Sequence, residues 1–319
     1  MIKTITNQIA NSRIEKLAMI EQSIGNTPLL PITKLINIKG VRIYAKVEWL
    51  QLSGSVKARA AFNIIKDAIH TGAINDETIL LDATSGNTGI AYATIGAQIG
   101  LPVTLCLPEN ASKERIHILK SLGAKIIFTS RFGGTDDAQQ VAAELAANNP
   151  NTYFYADQYR NDQNWKAHFN TTAEEIYKQA PGITHFVAGL GTTGTFIGTS
   201  RKLKLLNSKI EVTALQPDFA MHGLEGWKHL ETALIPPIYD DQVADHHLTV
   251  ATTDAYEIIK AAFVKEGLSL SPSSAANLAG AIAIAKQIKK GVIVTILPDN
   301  GEKYTDIIKK ILVNDASYN

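Results

Sequence analysis

Short apolar runs of strand length alternate along the chain with segments of helical character, and this alternation constrains the fold more than any other feature. The predicted strands lie at 78–81, 102–107, 124–129, 152–155, 185–188, 210–215 and 291–297. Strands that are apolar throughout and separated by helices are typical of parallel βαβ units, in which helices cover both faces of the sheet. The sequence therefore predicts two α/β domains that share one cleft, with ligands beyond the carboxyl ends of the strands.

Composition and charge narrow the classes of function. Of the 319 residues, 45% are hydrophobic and 19% are charged, and the net charge is +1, which is ordinary for a globular protein. No excess of one charge favours nucleic acid or a membrane as a partner, and no apolar run approaches the length of a membrane span. The single cysteine, Cys106, excludes an intramolecular disulfide and lies in a predicted core strand. Residues 1–22 lack the apolar core of a signal peptide, so we expect a cytoplasmic protein.

The stretch Ser-Gly-Ser-Val-Lys-Ala-Arg at 53–59 places Lys57 at or just before the start of a predicted helix. The positive end of a helix dipole disfavours a second positive charge and favours bound anions. A lysine at this position is shifted toward its neutral, nucleophilic form. This stretch by itself leaves two interpretations open, a reactive amine and a surface lysine that happens to follow a turn.

Two loops follow predicted strands directly, where ligands of such sheets bind. The first, Thr84-Ser85-Gly86-Asn87-Thr88-Gly89, offers hydroxyls, an amide and backbone N–H groups at a predicted helix start. Such a set of donors suits a carboxylate. Because Ser, Thr and Asn are also ordinary N-cap residues, a capped turn is the alternative interpretation.

The second loop, Gly189-Leu190-Gly191-Thr192-Thr193-Gly194-Thr195, follows the predicted strand at 185–188. Its glycines let consecutive N–H groups turn toward one anion, and its threonine hydroxyls add donors. The loop lacks the Gly-Lys-Ser/Thr ending of a Walker loop and the spacing of a dinucleotide fingerprint. A phosphate cradle is therefore favoured over a structural turn, and nucleotide hydrolysis is not expected.

A helix-start lysine, a carboxylate loop and a phosphate loop together describe a pyridoxal-phosphate site. At this point the sequence resembles the cysteine synthases among the fold-type II pyridoxal-phosphate enzymes, relatives of the tryptophan synthase β subunit. The resemblance is strongest to the B-type enzymes. The motifs that carry it, over nearly the whole chain, lie at 25–28, 55–57, 84–89, 108–109, 113–115, 157–159, 189–195, 273–274 and 298–302. Thr193, where A-type enzymes usually have glycine, is typical of the B type.

The resemblance implies a role for each matching residue. The residues toward the cofactor ring are Lys57, which would form the Schiff base, Asn87 at the ring oxygen, and Ser273, with Ser274 as the alternative, at the pyridine nitrogen. The phosphate would be bound by Gly191, Thr192, Thr193, Gly194 and Thr195, and the substrate carboxylate by Thr84, Ser85, Gly86, Thr88 and Gln158. Lys228 lies in a loop that B-type relatives place over the active site, and it is a candidate substrate contact. A hydroxyl beside the ring nitrogen favours β-elimination chemistry over transamination, because it makes the ring a milder electron sink than a carboxylate would.

The resemblance also implies the architecture and the reaction. We expect two three-layer α/β/α domains with mostly parallel sheets and the cofactor in the cleft between them. The smaller would be formed by 1–28 and 51–159, and the larger by 29–50 and 160–319. The expected reaction is β-replacement on O-acetylserine or O-phosphoserine, in which Lys57 removes the α-proton and a sulfur nucleophile completes L-cysteine. A homodimer is expected, and a sulfur-carrier protein or an acetyltransferase is a candidate partner.

Three alternatives stay open from the sequence. The first is β-replacement with another nucleophile, which would give cystathionine or a diaminopropionate derivative. The second is net elimination, as in a serine or threonine dehydratase or a cysteine desulfhydrase. The third is a catalytically silent regulatory or assembly subunit.

The chain also departs from the family pattern at several positions. Gln51-Leu52 replaces the usual Asn-Pro, Ala58 replaces the aspartate after the lysine, and Ala275 replaces the glycine after the paired serines. These positions lie beside the cofactor residues, so they bear on the substrate rather than on the cofactor. No metal site is expected: Asp245-His246-His247 lacks the spacing of zinc ligands and is interpreted as a solvated loop within an irregular stretch at 216–247.

Overall fold

The computed structural model describes residues 2–84 and 86–313, so Met1, Ser85 and residues 314–319 lie outside the described residues. The chain divides into two compact units. The first contains residues 1–25 and 51–164, and the second contains residues 26–50 and 165–319.

The elements alternate as the sequence predicts. The strands are β1 (Leu29–Ile32), β2 (Val41–Val47), β3 (Ile79–Ala83), β4 (Val103–Pro108), β5 (Lys125–Thr129), β6 (Tyr153–Tyr155), β7 (His185–Gly189), β8 (Glu211–Pro217), β9 (His246–Val250) and β10 (Gly291–Leu297). The α-helices are α1 (Ile2–Glu21), α2 (Lys57–His70), α3 (Asn87–Ile99), α4 (Lys113–Ser121), α5 (Gly134–Asn148), α6 (Asp162–Ala167), α7 (Ala173–Gln179), α8 (Gly194–Leu206), α9 (Thr252–Glu266), α10 (Pro272–Ala285) and α11 (Thr305–Val313). Within 2–84 and 86–313, no helix has the length and apolar character needed to cross a membrane.

The first unit is built on a parallel sheet in the order β5-β4-β3-β6. Leu80 on one face packs into an apolar core with Ile65 of α2 and Ile95 of α3. Leu81 on the opposite face packs with residues of α5. Cys106 is completely buried in β4, which confirms its predicted place in the core. Because helices cover both faces, the strands of this sheet can be apolar along their whole length.

The second unit contains a six-stranded sheet in the order β1-β2-β10-β7-β8-β9. β1 runs antiparallel to β2, and the other neighbours are parallel. All residues of the central strand β10 are buried. The segments 189–195 and 298–302 follow the carboxyl ends of β7 and β10, so the topology brings them to one edge of this sheet. The expected α/β class with mostly parallel sheets is confirmed.

The prediction that 216–247 is irregular throughout is wrong at its end. His246–Val250 forms β9, an edge strand that pairs with β8. Both histidines of the expected solvated loop Asp245-His246-His247 therefore lie at the start of a strand. His246 Nε2 is 3.1 Å from the Glu211 carboxylate. Because one side of an edge strand faces water, its sequence lacks the continuous apolar run that identifies a central strand.

Two helical regions have features that local periodicity does not show. The stretch 162–179 is divided into α6, a π-helical segment at 168–172, and α7. α10 begins at Pro272, and Ser271 caps it by accepting a hydrogen bond from the Ser274 N–H group. Proline is favoured at the first position of a helix, because that N–H group has no intrahelical partner.

A buried lysine ties β2 to the segment before β1. Lys46 is completely buried, and its ammonium group donates to the Thr27 carbonyl at 2.5 Å and to Gln179 Oε1 at 2.8 Å. The same group lies 2.7 Å from the Glu175 carboxylate. Glu48, also completely buried, accepts from the Thr27 hydroxyl at 2.6 Å. A charge away from water is tolerated only when its donors are paired, so this network holds Thr27 against β2.

We expect Lys46→Met to lower the free energy of unfolding by about 3 kcal/mol, because buried acceptors would lose a charged donor. Lys66→Met is the matched control, since Lys66 pairs with Glu21 at an exposed position and a surface pair contributes only about 0–1 kcal/mol. Chemical denaturation of both variants measures the difference. Equal losses from the two substitutions would show that the buried network stabilises the protein no more than a surface pair does.

Candidate active site

Lys57 is the first residue of α2, and it is half-buried. The turn before it contains Gly54, whose φ is 68° and whose N–H group donates to the Gln51 carbonyl at 2.8 Å. No side chain caps this helix at Val56. The amine is therefore carried at the positive end of a helix that starts directly from a tight turn.

The loop between β3 and α3 is shaped by the Thr84 hydroxyl. This oxygen accepts from the N–H groups of Gly86 at 3.0 Å and Gly89 at 3.3 Å. Gly86 has a φ of 150°, and a Cβ atom there would lie 2.3 Å from Cδ of Arg115. Asn87 then begins α3 and is half-buried. Only glycine fits this bend, after which α3 begins with N–H groups that have no intrahelical acceptor.

A chain of hydrogen bonds joins this loop to the segment after β6. The Thr88 hydroxyl donates to Gln158 Oε1 at 2.6 Å, and Gln158 Nε2 donates to the Ala83 carbonyl at 2.7 Å. The Gln158 carbonyl accepts from Asn164 Nδ2 at 2.6 Å. These bonds leave one hydrogen of the Gln158 amide for a further acceptor. Within the first unit the structure thus brings together Thr84, Gly86, Thr88 and Gln158, while Ser85 lies outside the described residues.

The loop after β7 is anchored at its first two residues. The Gly189 N–H group donates to Asn277 Oδ1 at 2.7 Å, and the Leu190 N–H group donates to the Leu215 carbonyl at 2.9 Å. These two amides are therefore engaged by the protein itself. α8 begins at Gly194, and the first N–H groups of a helix have no intrahelical acceptor. The second half of the loop is thus the part that can bind an anion.

Two glycines of this loop are required by the close approach of segment 226–228. A Cβ atom at Gly189 would lie 2.0 Å from Cε2 of Trp227. A Cβ atom at Gly191 would lie 2.1 Å from the carbonyl oxygen of Gly226. At Gly191 the obstacle is backbone, so any side chain would displace one of the two segments.

Thr193 is the N-cap residue of α8 and has a φ of 68°. A left-handed backbone is rare for a β-branched residue and costs about 1–2 kcal/mol. The side chain is 2% exposed, and its hydroxyl has no hydrogen-bond partner among the described residues. A buried hydroxyl of this kind is available to donate to a bound ligand.

His168 is a residue of this region that the sequence patterns did not indicate. It lies in the π-helical segment and is 1% exposed, and its Nδ1 is 2.9 Å from the Thr172 hydroxyl. Its Nε2 is 3.3 Å from the hydroxyl of Thr195 in the phosphate loop. Single π-helical turns are frequent at functional sites. The π-helical turn is the one signal that could have indicated His168 as a functional residue. This turn cannot be recognised from the sequence.

The paired serines at the start of α10 have different surroundings. The Ser274 hydroxyl is completely buried and donates to the Asp299 carbonyl at 2.6 Å. The Ser273 hydroxyl lies 3.3 Å from that of Ser271. Because the proton of Ser274 is engaged by the backbone, the geometry favours Ser273 as the serine that faces a ligand.

Lys228 lies beside the phosphate loop in the second unit. Its N–H group donates to the Leu190 carbonyl at 2.7 Å, and its side chain is buried. Earlier in the same stretch, His222 Nδ1 accepts from the Leu224 N–H group at 3.1 Å. Burial lowers the pKa of His222, so its imidazole is neutral at pH 7. The hydrogen bond to the Leu190 carbonyl therefore fixes the Lys228 backbone beside the phosphate loop.

The second unit passes a test of fit to a phosphorylated cofactor. Gly191 lets the loop pack directly against the Gly226 backbone, and Thr193 holds a buried hydroxyl with no hydrogen-bond partner among the described residues. The start of α8 adds N–H groups and a positive dipole end. The hydroxyl and the helix start suit a phosphate dianion, so the residues present fit the phosphate of pyridoxal phosphate.

Comparison with known proteins identifies relatives along nearly the whole chain. A family model described as "Pyridoxal-phosphate dependent enzyme" matches residues 20–299. The cysteine synthase of Aquifex aeolicus (strain VF5) is 45% identical over 289 residues, which is 88% of each chain. Cysteine synthase B of Escherichia coli (strain K12) is 36% identical over 291 residues, which is 90% of this chain and 94% of that one. The solved structure of cysteine synthase (OASS) from Entamoeba histolytica has a TM-score of 0.84 at 31% identity and covers 92% of this chain and 94% of its own.

We expect Gly191→Ala to weaken binding of pyridoxal phosphate by at least about tenfold, or 1.4 kcal/mol, because the methyl group would displace the Gly226 backbone or the loop. Gly191→Asp should cost more, since a carboxylate would face the phosphate. Titration of the apoenzyme with pyridoxal phosphate measures both. Gly72→Ala is the control, because its added methyl group enters open space and the strain from its φ of 78° affects stability alone, away from the phosphate loop. Unchanged cofactor affinity in both Gly191 variants would place the phosphate elsewhere.

Proposed function

Because the chain belongs to the family of pyridoxal-phosphate dependent enzymes, we propose that it is a cysteine synthase that acts on an O-activated L-serine. In this reaction the bond from the β-carbon to the acetate or phosphate oxygen breaks, and the leaving group departs with the electron pair. A bond from the same carbon to a sulfur nucleophile then completes L-cysteine. The observation that carries the proposal is the match of nearly the whole chain to cysteine synthases.

The cofactor is pyridoxal phosphate, and the resemblance to known enzymes implies which residues would hold it. In the second unit, residues 191–195 would bind its phosphate and Ser273 would face its pyridine nitrogen. In the first unit, Lys57 would carry the covalent link and Asn87 would donate to the ring oxygen. The engaged proton of Ser274 and the buried, unpartnered hydroxyl of Thr193 support this assignment.

The residues of the first unit would act on the substrate. Bound pyridoxal phosphate supplies an electron sink for the carbon beside the substrate amine. Lys57 would remove the proton from that carbon, and its place at the positive end of α2 favours the neutral amine that a base requires. Gln158, whose amide keeps one hydrogen for a ligand, would hold the substrate carboxylate while Thr88 orients its amide oxygen, and this would position the α-proton, which is an effect of proximity.

We extend the proposal to a sulfhydrylase-type transferase that works as a cytoplasmic homodimer and accepts O-acetylserine or O-phosphoserine. Both substrates carry the same amino-acid head, which the 84–89 loop would bind. They differ only in the leaving group, so the choice between them would depend on charge near that group. A sulfur-carrier protein or an acetyltransferase stays a predicted partner.

Product analysis is the experiment that tests the proposed function. The holoenzyme is given each activated serine with sulfide, with homocysteine, with an amine or with no nucleophile, and the products are identified by mass spectrometry. Cysteine as the fastest product supports the proposal. Faster formation of pyruvate without a nucleophile would make the chain an eliminase, and faster formation of cystathionine would make it a different synthase. Absence of all products, with no cofactor absorbance, would indicate a silent subunit.

We expect Lys57→Ala to reduce turnover by at least about a hundredfold, because a positioned general base contributes about 10²–10⁴ in rate. The characteristic absorbance of lysine-bound cofactor should disappear as well. Lys66→Ala is the matched control, because Lys66 lies on the same helix and pairs with Glu21 at the surface. Circular dichroism checks that both variants are folded. Turnover of the Lys57 variant within about tenfold of wild type would exclude the role assigned to it.

We expect Lys228→Ala to raise the barrier for O-phosphoserine by about 1–3 kcal/mol, the scale of a lost charged hydrogen bond. A lysine can pair with a phosphate dianion as a point charge, whereas the ester end of O-acetylserine is neutral. Steady-state kinetics with both substrates, on the wild type and the variant, measure the two specificity constants.

Lys228→Arg is the control for this experiment, since it retains the positive charge. It should keep most of the preference that Lys228→Ala loses. An equal loss on both substrates would mean that Lys228 shapes its loop rather than binding the leaving group. Absence of O-phosphoserine turnover in the wild type would exclude the phosphate-binding role.

A further inference from the structure

Asp82 is a buried acid that the proposed chemistry does not use. It is the single polar side chain of β3, and it is completely buried. Its Oδ1 accepts from the Ala83 N–H group at 2.8 Å. The hydroxyl of Tyr92 in α3, also completely buried, faces the carboxyl group without reaching the geometry of a well-formed hydrogen bond. No ion pair of Asp82 is observed among the described residues, so its charge would be costly.

The surroundings of Asp82 favour its neutral form. Burial raises the pKa of Asp82 to about 8, and the nearby Asp157 carboxylate adds to the shift. The other titratable groups that face it are Tyr92 from α3, Cys106 from β4, and Tyr155 and Tyr159 from β6 and the segment after it. All of these groups are acids, so they supply no positive charge. Asp82 is therefore a protonated acid at pH 7 and a carboxylate only above about pH 8.

The backbone of one residue connects Asp82 to the predicted carboxylate site. Asp82 holds the N–H group of Ala83, and the carbonyl of Ala83 accepts from the Gln158 amide at 2.7 Å. The Gln158 amide oxygen in turn accepts from the Thr88 hydroxyl at 2.6 Å. These groups are buried in a close-packed interior, so a tilt of the Ala83 backbone would move Gln158 and Thr88 with it.

We propose that Asp82, supported by Tyr92, is a positioning residue for the substrate carboxylate. It orients the backbone of Ala83, which sets the Gln158 amide and, through it, the Thr88 hydroxyl. This role rests on the proposed function, in which the 84–89 loop and Gln158 bind the carboxylate of an amino-acid substrate.

The neutral state of Asp82 matters for substrate affinity. A carboxylate at this position would place a negative charge beneath a loop that binds another carboxylate. In buried surroundings the repulsion between the two would be poorly screened. Affinity for the substrate should therefore fall as the pH rises through the titration of Asp82. Below that range the acid positions the loop without opposing the ligand.

Asp82→Asn tests the proposal, because asparagine keeps the oxygen that faces the Ala83 N–H group but cannot ionise. The probe is L-alanine, an amino acid without a leaving group, and its Kd is read from the change in cofactor absorbance of the holoenzyme. At pH 7 the variant should bind within about threefold of wild type. Between pH 7 and pH 9 the Kd of the wild type should rise at least about threefold more than that of the variant. Titration of the ligand's own amine is common to both enzymes and cancels in the ratio.

Tyr92→Phe removes the supporting hydroxyl and keeps the ring. It should raise KM for the activated serine by about three- to tenfold and leave kcat within about twofold, because ground-state binding is what it weakens. Tyr155→Phe is the matched control, since the Tyr155 hydroxyl bonds to the Gln139 carbonyl and not to the Ala83 backbone. It should leave KM unchanged. Equal effects of the two tyrosine substitutions, or a loss confined to kcat, would overturn the positioning role.

A second measurement does not depend on activity. Since the pKa of Asp82 is raised in the folded protein, the folded state binds its proton more tightly than the unfolded chain does. The free energy of unfolding should therefore fall as the pH rises from the ordinary carboxyl range to about 8, and Asp82→Asn should show a smaller fall. This difference together with the pH-dependent Kd ratio supports the proposal. The stability difference with a constant Kd ratio would overturn the positioning role while leaving the proposed function intact. No response of the cofactor to any amino acid would overturn the proposed function and the positioning role together.

Discussion

The close packing of segment 226–227 against Gly189 and Gly191 is the contact on which the phosphate loop depends. The ring of Trp227 and the carbonyl of Gly226 occupy the space that side chains at these glycines would need. Asn277 holds the Gly189 amide from the other side. The first half of the loop is therefore held between α10 and segment 226–227. These contacts fix the backbone firmly enough to keep Thr193, with its φ of 68°, in a strained conformation.

The loop after β3 is fixed in a comparable way, but the contacts that fix it come from side chains rather than from a neighbouring backbone segment. A strand ends, a short loop turns, and a helix begins with N–H groups that lack intrahelical acceptors, as in the second unit. Thr84 collects the loop amides, and Thr88, Gln158 and Ala83 form a connected network behind them. In the role proposed for it, Asp82 fixes the Ala83 backbone behind this network without adding a net charge. A buried polar network rigidifies a site when its donors and acceptors are paired.

The sequence patterns identified the central elements well, because burial on both faces leaves a signal in the sequence itself. Residues 291–297 form β10 with the predicted bounds, and Lys57 begins a helix as expected. The elements that the sequence patterns did not predict are those formed through contacts with distant parts of the chain. β9 is a strand because β8 pairs with it, and the π-helical turn brings His168 to Thr195, 27 residues away in sequence. Neither pairing can be read from local periodicity.

The departures from the family pattern find structural explanations within their own units. Gln51 Oε1 accepts from the Gly25 N–H group at 3.0 Å, so this side chain braces the turn before Lys57. Ala58 and Ala275 are both completely buried within helices, where a methyl group packs and offers no donor. These substitutions therefore alter packing rather than the charges and donors available to a ligand. Discrimination between a neutral and a charged leaving group requires a charged side chain, and Lys228, fixed by its backbone to the phosphate loop, is the residue we propose for it.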